Sequence, residues 1–430
     1  MRKTLAWAGA AIAALGLLAG CGGGGDDASD SKVLKVAALE GGYGKDMYTE
    51  VINAYKASHP GLDIQLQISK SIEDEISPNM KAGKFPDVVV LGQGRKAGLT
   101  ETLIKDKGLE DLSGVRDQVK DRLTDGIVGN LNTNPYGDDK TYLMPMYYAP
   151  TGLVYNKALF EQKKWTVPAT WDEMWALGDK AKAEKISLFT YPTAGYLDSY
   201  FFALLADVGG EQFYTDVMTY KQGVWQTPQA KQVLDITTKL LSYAAPTTVG
   251  YANEQDFTKN QQSILDNKAL FMPNGTWIVG EMKDAPRAKG FAWGLTPLPK
   301  VTGDKQYLTT SVESVWVPSA AENKDAAKEF VAYLYSDEAA KIFARSSAIQ
   351  PVKGIADTLT GDNATFYKLY EQPGVAALVG GFASTAPVEG VDIKATLFDT
   401  ANSIISGDKT EAQWQTALND ASEKLRQAGS

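Results

Sequence analysis

Hydrophobic and polar positions change their period repeatedly along residues 33–90, which follow a glycine-rich stretch. Residues 33–38 are apolar apart from Lys35, residues 63–68 alternate between apolar and polar, and residues 88–90 are three consecutive valines. Apolar residues within 45–57 recur instead at helical spacing. An uninterrupted run of valines is typical of a strand buried on both faces of a parallel sheet. The alternation of strand and helix predicts an α/β fold.

The middle of the chain carries helix-start signals. Thr170 and Glu173 have the spacing of a capping box, which predicts a helix that begins at Trp171. Thr227 followed by Pro228 repeats the signal, since proline is favoured at the first helical position. This part of the chain is therefore predicted to be rich in helices.

Strand-like segments return at 269–272, 291–296 and 314–317. Ser336 is predicted to separate two helices as an N-cap, because acidic residues follow it. An amphipathic helix is expected in the tail from Asp408 onward.

Length and charge exclude several classes of protein. The chain has 430 residues, which is too long for one core and predicts two domains. Its 43 basic and 52 acidic residues give a net charge of −9, so a nucleic-acid partner is not expected. The one histidine, His59, rules out metal sites built on histidine clusters and histidine-dependent triads. We expect neither a metal nor a cofactor.

The N-terminus has the pattern of an export signal. Two basic residues precede an apolar stretch that ends at Cys21, the only cysteine. The letters LAGC before and at this position resemble the bacterial lipobox, which implies cleavage after residue 20 and lipid attachment at Cys21. Residues 21–32 are rich in Gly, Ser and Asp and are expected to form a flexible tether.

The stretch FPDVVVLGQGRKAG places a glycine turn after the valine run. A Gly-x-Gly-x-x-Ala turn between a strand and a helix is one form of the dinucleotide-binding fingerprint. Here it follows the third predicted strand instead of the first, and the acids about twenty residues later do not end a strand. A nucleotide is therefore not expected. Glycines let the backbone approach a ligand closely, so Gln93 is a candidate amide for ligand hydroxyls, and Arg95 is a weaker candidate.

Five segments together resemble the sugar-type extracellular solute-binding proteins, the receptors of bacterial ABC importers. Each segment is a weak motif alone, but the five occur in order along residues 142–344. They are YLMPMYYAPTGLVYNKALFEQ (142–162), PATWDEMWAL (168–177), ALFMPNGTWIVGEM (269–282), FAWGLTPLPK (291–300) and KDAAKEFVAYLYSDEAAKIFA (324–344).

The resemblance implies a periplasmic-binding-protein-like α/β fold of two lobes, joined by a multi-segment hinge with the ligand cleft between them. It implies an N-terminal lobe of 33–146 and 303–355, and a C-terminal lobe of 147–302 and 356–430. The implied function is that of a monomeric receptor, not an enzyme, which captures an oligosaccharide and delivers it to a membrane permease. With the lipobox, this implies a lipid-anchored location on the outer face of the bacterial cytoplasmic membrane.

A sugar site needs planar aromatic rings for the apolar ring faces of the sugar and polar groups for its hydroxyls. By resemblance, Trp277 of the PNGTW motif is the stacking platform, after a tight turn, and Asn274 is a further candidate. Tyr43 follows the first strand, at the end of a sheet where ligands bind. Tyr147 and Tyr148 lie at the first crossing between the lobes.

Polar candidates come from two further segments. Tyr196 and Asp198 lie in a loop before an apolar helix, where they are expected to bind hydroxyls or to cap the helix. Ser311 and Glu313 correspond, by resemblance, to the segment that returns through the N-terminal lobe.

Two other functions remain open at this point. A glycoside hydrolase needs two carboxyl groups about 5 Å or about 6.5–9.5 Å apart, and Glu313 and Asp198 are the pair available across a cleft. The same fold also suits a non-sugar solute, such as a peptide, a polyamine or an iron complex.

Overall fold

The computed structural model describes residues 33–429 apart from 96, 125–126, 129–131, 194–195, 254–255, 302, 304, 384 and 386–387. The predicted signal peptide, Cys21 and the tether lie outside the described residues. In the part that is described, no helix is both long and apolar enough to cross a membrane.

The described residues contain nine strands that join one sheet. They are β1 (Val33–Leu39), β2 (Asp63–Ser69), β3 (Val88–Val90), β4 (Met144–Asn156), β5 (Ser187–Phe189), β6 (Ala269–Gly275), β7 (Trp293–Thr296), β8 (Gln306–Trp316) and β9 (Val375–Leu378). Their order is β2-β1-β3-β8-β4-β6-β5, with β7 paired to β4 and β9 paired to β8.

Helices surround this sheet. They are α1 (Asp46–Ser58), α2 (Ile72–Lys81), α3 (Leu99–Lys105), α4 (Ser113–Val119), α5 (Lys157–Lys163), α6 (Trp171–Ala183), α7 (Leu197–Met218), α8 (Pro228–Leu241), α9 (Thr248–Tyr251), α10 (Phe257–Leu265), α11 (Ile278–Glu281), α12 (Lys324–Tyr333), α13 (Asp337–Arg345), α14 (Gly361–Tyr367), α15 (Ile393–Phe398), α16 (Thr400–Ser406) and α17 (Glu411–Gly429).

The predicted strands and helix starts are confirmed. β1 pairs in parallel with both β2 and β3, as a buried α/β sheet requires. The side chains of Thr170, Thr227 and Ser336 each accept a hydrogen bond from the backbone of the helix that follows. The capping box of α6 is also present, because Glu173 accepts from the backbone N–H of Ala169.

Two strands cross the whole molecule. Residues 144–150 of β4 pair with β8, whereas residues 151–156 pair with β6 and β7. The far end of β8 pairs with β3, and its beginning pairs with β9. The crossing strands therefore join a first side, β1–β3 with the helices packed on them, to a second side of β5–β7, α6–α11 and α15–α17.

The hydrophobic core divides along the same line. One cluster lies wholly under one face of β1–β3 and includes Trp316. A second fills the second side around α7, α8 and α17, with Trp225 and Trp414 fully buried. The third and largest runs from β1 and α1 past the crossing strands to β6 and β7. Packing thus continues through the crossing region, where rigid elements can position a site.

Candidate functional site

The loops after β1 and β3 end at one place in the fold. β1 and β3 are parallel neighbours, so both loops leave the same edge of the sheet. β3 also pairs with β8, which brings these loops beside the β4–β8 crossing. Open α/β sheets bind ligands at the carboxyl ends of their strands, and most predicted site residues lie here.

An aromatic group forms the second-side wall of this place. Trp277 lies at the start of α11 and is half-exposed, with its ring centroid 6.4 Å from that of buried Tyr196. The wall reaches the first side, because a Cβ placed on Gly42 would lie 3.4 Å from the Cβ of Trp277. Tyr43 completes the contact, with its hydroxyl 3.3 Å from the Thr276 hydroxyl. The predicted stacking residue thus stands between the two sides.

Tyr147 joins this group from β4. Its ring meets that of Tyr43 edge to face, with centroids 5.4 Å apart, and its hydroxyl lies 3.1 Å from that of Tyr48 on α1. Tyr147 is buried. It therefore supports Tyr43 from beneath rather than presenting a free ring face.

Glu313 and Ser311 lie on the crossing strand β8. In the β4–β8 pairing Glu313 is opposite Tyr147 and Ser311 is opposite Ala149, and directly opposed residues share a face of the sheet. Ser311 is exposed and Glu313 is half-buried. The Glu313 carboxylate accepts a hydrogen bond from the backbone N–H of Gly92, and it thereby holds the glycine turn that follows β3.

The glycine turn carries Gln93, which is half-buried and donates from Nε2 to the carbonyl oxygen of Asn132 at 3.0 Å. Gly94 is exposed and has φ of 84°, a left-handed conformation that favours glycine. Lys394, at the start of α15, donates from Nζ to the carbonyl oxygen of Gly94 at 2.9 Å. Asp198 on α7 lies near enough to Lys394 for their charges to interact. The turn is therefore contacted from the second side.

Asn274 and its neighbours correct one expectation. The segment Pro273-Asn274-Gly275 belongs to β6 and is not a turn, because it pairs with residues 151–153 of β4. Asn274 is fully buried, and its Oδ1 accepts from the N–H of Gly275. Its Nδ2 has no partner among the described residues. The turn begins at Thr276, directly after β6, and leads into Trp277.

Tyr148 packs in a second group of tyrosines, on the opposite face of β4 from Tyr147. Its ring stacks on Tyr370 with centroids 5.6 Å apart, and Tyr367 donates from its hydroxyl to the Tyr148 carbonyl oxygen. These rings line a cavity of about 350 Å³ together with Lys353 and Glu371. Adjacent strand residues point to opposite faces, so Tyr147 and Tyr148 cannot serve the same wall.

Several residues at the site were not predicted. Lys394 contacts the glycine turn, and the Glu281 carboxylate accepts from the Tyr196 hydroxyl and from Gln261. Tyr367 and Tyr370 pack at the crossing. The spacing of two tyrosines in FYKLYE is a helical i, i+3 pattern that would have indicated a shared surface. Nothing in the local sequence of Lys394 indicates its contact, which depends on tertiary packing.

Burial sets the electrostatics of the site. It raises the pKa of the Tyr43 hydroxyl to about 12 and raises the pKa of the Glu313 carboxyl, which the Arg95 charge and the Gly92 N–H oppose. Burial also raises the pKa of Asp198, against the N–H of Ser199 and the charge of Lys394. Hydrogen bonds made here are strong because water screens them poorly.

No group of three or more His, Cys, Asp or Glu side chains suited to a metal ion occurs among the residues that the structure describes. What the site offers is a half-exposed indole, hydroxyls, carboxylates and backbone groups of a glycine turn. Groups of these kinds are suited to holding a ligand by stacking and hydrogen bonds, and they come from two sides of an α/β molecule. The fold and the site together define a two-sided α/β receptor.

The chain belongs to the bacterial extracellular solute-binding proteins, whose family model matches residues 50–363. The predicted family is thereby confirmed, as is the prediction of a receptor rather than an enzyme. Because members of this family bind solutes outside the cytoplasm and are not enzymes, the glycoside hydrolase alternative is set aside.

One relative matches almost the whole chain, and another matches about two thirds of it. The diacetylchitobiose binding protein NgcE of Streptomyces coelicolor is 26% identical over 418 residues, which is 93% of this chain and 86% of the relative. The maltotriose-binding protein of Pyrococcus abyssi is 24% identical over 297 residues, 66% of this chain and 58% of the relative.

Solved structures show the same fold. The bacterial solute receptor AcbH superimposes with a TM-score of 0.73 at 16% identity, over 92% of this chain and 99% of that one. The predicted two-lobed α/β fold class is confirmed by this likeness.

Proposed function

We propose that this protein is the receptor of an ABC importer and captures an oligosaccharide between its two sides for delivery to a membrane permease. The observation that carries the proposal is Trp277, half-exposed, backed by Tyr196 and facing the Gly42 loop of the other side. An indole in this position offers a sugar ring a large flat apolar surface at little cost in side-chain entropy.

The relatives support an oligosaccharide as the ligand. The names of two of them specify diacetylchitobiose and maltotriose, which are both short saccharides. The polar side chains around Trp277 suit sugar hydroxyls, since Asp198, Ser311, Glu313 and Gln93 provide acceptors and donors. Tyr43 and Asn274 complete the proposed binding set, with Tyr147 in a supporting position. Tyr148 is proposed to affect ligand binding indirectly, through its position on the crossing strand β4.

The two proposed lobes are expected to close around a ligand that contacts both of them. The proposed lobes are 33–146 with 303–355, and 147–302 with 356–430. The chain therefore passes between them within β4, between β7 and β8, and after residue 355, and β8 also pairs with β9 of the other lobe. A ligand that touches both lobes stabilises the closed arrangement by its extra contacts. The closed form would then dock on the permease as a monomer.

We also propose that Cys21 carries a lipid and that residues 21–32 tether the receptor to the outer face of the membrane. A tether of twelve residues that behaved as a flexible chain would reach roughly 20 Å, at about 5–6 Å × √n. Labelling with a radioactive fatty acid in a bacterial host would detect the anchor, and a Cys21→Ala variant would lose the label.

A thermal-shift screen tests the main proposal. Chito-, malto-, raffinose-type and xylo-oligosaccharides at millimolar concentration should include one class that raises the melting temperature, because a ligand bound only to the folded state stabilises it. Peptides and polyamines serve as comparison ligands. Stabilisation by one of these and by no saccharide would contradict the proposal, and release of shorter sugars would revive hydrolysis.

A further inference from the structure

The indole of Trp277 lies against a strand glycine. Trp277 follows a short turn at the end of β6, and its ring folds back over Gly275, the last residue of that strand. A Cβ placed on Gly275 would lie 2.2 Å from Cζ3 of Trp277, 2.3 Å from Cη2 and 2.6 Å from Cε3. Real Cβ atoms do not approach other heavy atoms within 3.0 Å, so any side chain at residue 275 would displace the ring.

The same three distances show which part of the indole meets the strand. Cε3, Cζ3 and Cη2 are consecutive atoms of the six-membered ring. A point beyond the edge of the ring could lie this close to one or two of them but not to all three, so Gly275 lies beneath a ring face. The backbone of β6 therefore covers one face of this ring, and a sugar can stack only on the other face.

Neighbouring groups hold the indole in this orientation. Its Cβ lies beside the Gly42 loop, and its ring lies beside that of Tyr196, at an interplanar angle of 57°. Tyr196 is fixed in turn, because its hydroxyl donates to the Glu281 carboxylate, 3.2 and 3.3 Å from the two oxygens. Gln261 donates from Nε2 to the same carboxylate at 2.8 Å. The ring is thus positioned without a ligand.

The backbone of β6 does not itself require a glycine at residue 275. Gly275 pairs with Thr151 of β4, and its φ lies outside the left-handed region that favours glycine. A glycine weakens a strand and often marks a place where another group approaches closely. Here that group is the indole. A ring that is fixed beforehand loses less freedom when a ligand stacks on it, and this pre-organisation favours binding.

We infer that Gly275 is a positioning residue for ligand binding. Because it has no side chain, the Trp277 indole lies flat on β6 and presents its opposite face to a sugar. The inference rests on the proposed function. It requires that Gly275 acts through Trp277 and makes no contribution to affinity of its own.

Gly294 provides a matched control. It lies in β7, and a Cβ placed on it would be 2.4 Å from Cε1 and Cζ of Tyr155, its partner on β4. Gly275→Ala and Gly294→Ala therefore each add a methyl group beneath an aromatic ring, in two strands that both pair with β4. Only the first of these rings belongs to the proposed site.

A double-mutant cycle tests the inference. Isothermal titration with the saccharide found in the thermal-shift screen compares the wild type, Gly275→Ala, Trp277→Ala and the double variant. Gly275→Ala should lower affinity roughly threefold or more in the wild type, but less than about twofold in Trp277→Ala, where no ring is left to displace. Gly294→Ala should change affinity less than about twofold. Equal losses in both backgrounds overturn the inference.

Fluorine NMR of protein labelled with fluorotryptophan follows the ring without a ligand. Trp277→Ala identifies the Trp277 resonance by deleting it. Gly275→Ala should shift this resonance, and Gly294→Ala should leave it in place. An unshifted Trp277 resonance in Gly275→Ala overturns the inference. The same spectra decide it if Trp277→Ala binds too weakly to be titrated.

Melting temperatures separate this role from a requirement of the strand. Gly275→Ala should melt below the wild type, whereas the double variant should melt no lower than Trp277→Ala, because the clash is gone. A double variant that loses as much stability as the single variant overturns the inference. If no saccharide binds the wild type while the Trp277 resonance still shifts, the proposed function fails and the placement of the indole stands.

Discussion

The two walls of the candidate site differ in the chemical groups that they present. On the first side, Gly42 and Gly94 are exposed and bring backbone to the surface, and Glu313 holds the turn in place through the buried N–H of Gly92. On the second side, Trp277 and Tyr196 present large rings. One wall therefore provides hydrogen-bonding groups at fixed positions, and the other provides apolar area. A sugar needs both, because its rim is polar and its ring faces are not.

The difference has a physical consequence for binding. Backbone of a glycine turn cannot be removed by a side-chain substitution, and a Cβ on Gly92 would lie 2.9 Å from Glu313 Oε2. The aromatic wall depends on individual side chains. We therefore expect affinity to be most sensitive to substitutions in the second-side wall, and less sensitive to those in the first-side wall.

The largest expected effect is that of Trp277→Ala. Loss of the indole removes the apolar surface on which a sugar ring stacks, so affinity should fall at least tenfold, or about 1.4 kcal/mol. Calorimetry with the saccharide found in the thermal-shift screen measures the change. Trp175→Ala is the matched control. Trp175 contacts Lys239 on α8 and stacks on Tyr243, which follows α8, and it is not part of the proposed site. An unchanged affinity for the Trp277 variant would remove the second-side wall from the site.

Glu313→Gln should have a smaller effect. The amide oxygen can still accept from Gly92, but the charge-assisted hydrogen bonds are lost, and affinity should fall roughly three- to tenfold. The same titration measures it, with Glu322→Gln at an exposed ion pair as the control. If Glu313→Gln lowered the affinity more than Trp277→Ala does, the first-side wall would be the more important one, contrary to this account.

Asp207 separates folding from binding. It lies buried on α7, accepts from the Tyr307 N–H at 2.9 Å, and has an Oδ2 without a partner among the described residues. Burial raises its pKa from 3.8 to about 8. The folded protein therefore favours the neutral acid, and the stability this group contributes is full below about pH 4 and is lost as the pH rises to about 8.

The variant Asp207→Asn should remove this loss. Its melting temperature should exceed that of the wild type increasingly from pH 4 to pH 8, by roughly 2 °C or more at the upper end, while sugar affinity stays unchanged. Thermal melts at several pH values measure the slope. A parallel pH profile for the two proteins would show that Asp207 does not titrate in this range.

Most elements of the fold were predictable because their signals are local. The valine run of β3, the caps of α6 and α8 and the helical spacing of α1 each depend on a few neighbouring residues. The exception is instructive. Pro273 and Gly275 are typical of turns, yet both lie in β6, because pairing with β4 overrides local propensity.

The site was less predictable, because it is assembled from distant segments. Tyr43 and Trp277 were found from motifs, but their contact depends on how two loops more than two hundred residues apart are packed. The opposite orientation of Tyr147 and Tyr148 follows from strand geometry only once β4 is known to be continuous. Lys394 has no local signature, and only the folded chain brings it to Gly94.

A crystal structure of the complex with the most stabilising oligosaccharide tests the central claim most directly. The account predicts a sugar ring stacked on the Trp277 indole, with polar contacts from the Gly92–Gly94 turn on the other side. A sugar bound in the cavity beside Tyr148 and Tyr370, with Trp277 free of contact, would contradict it.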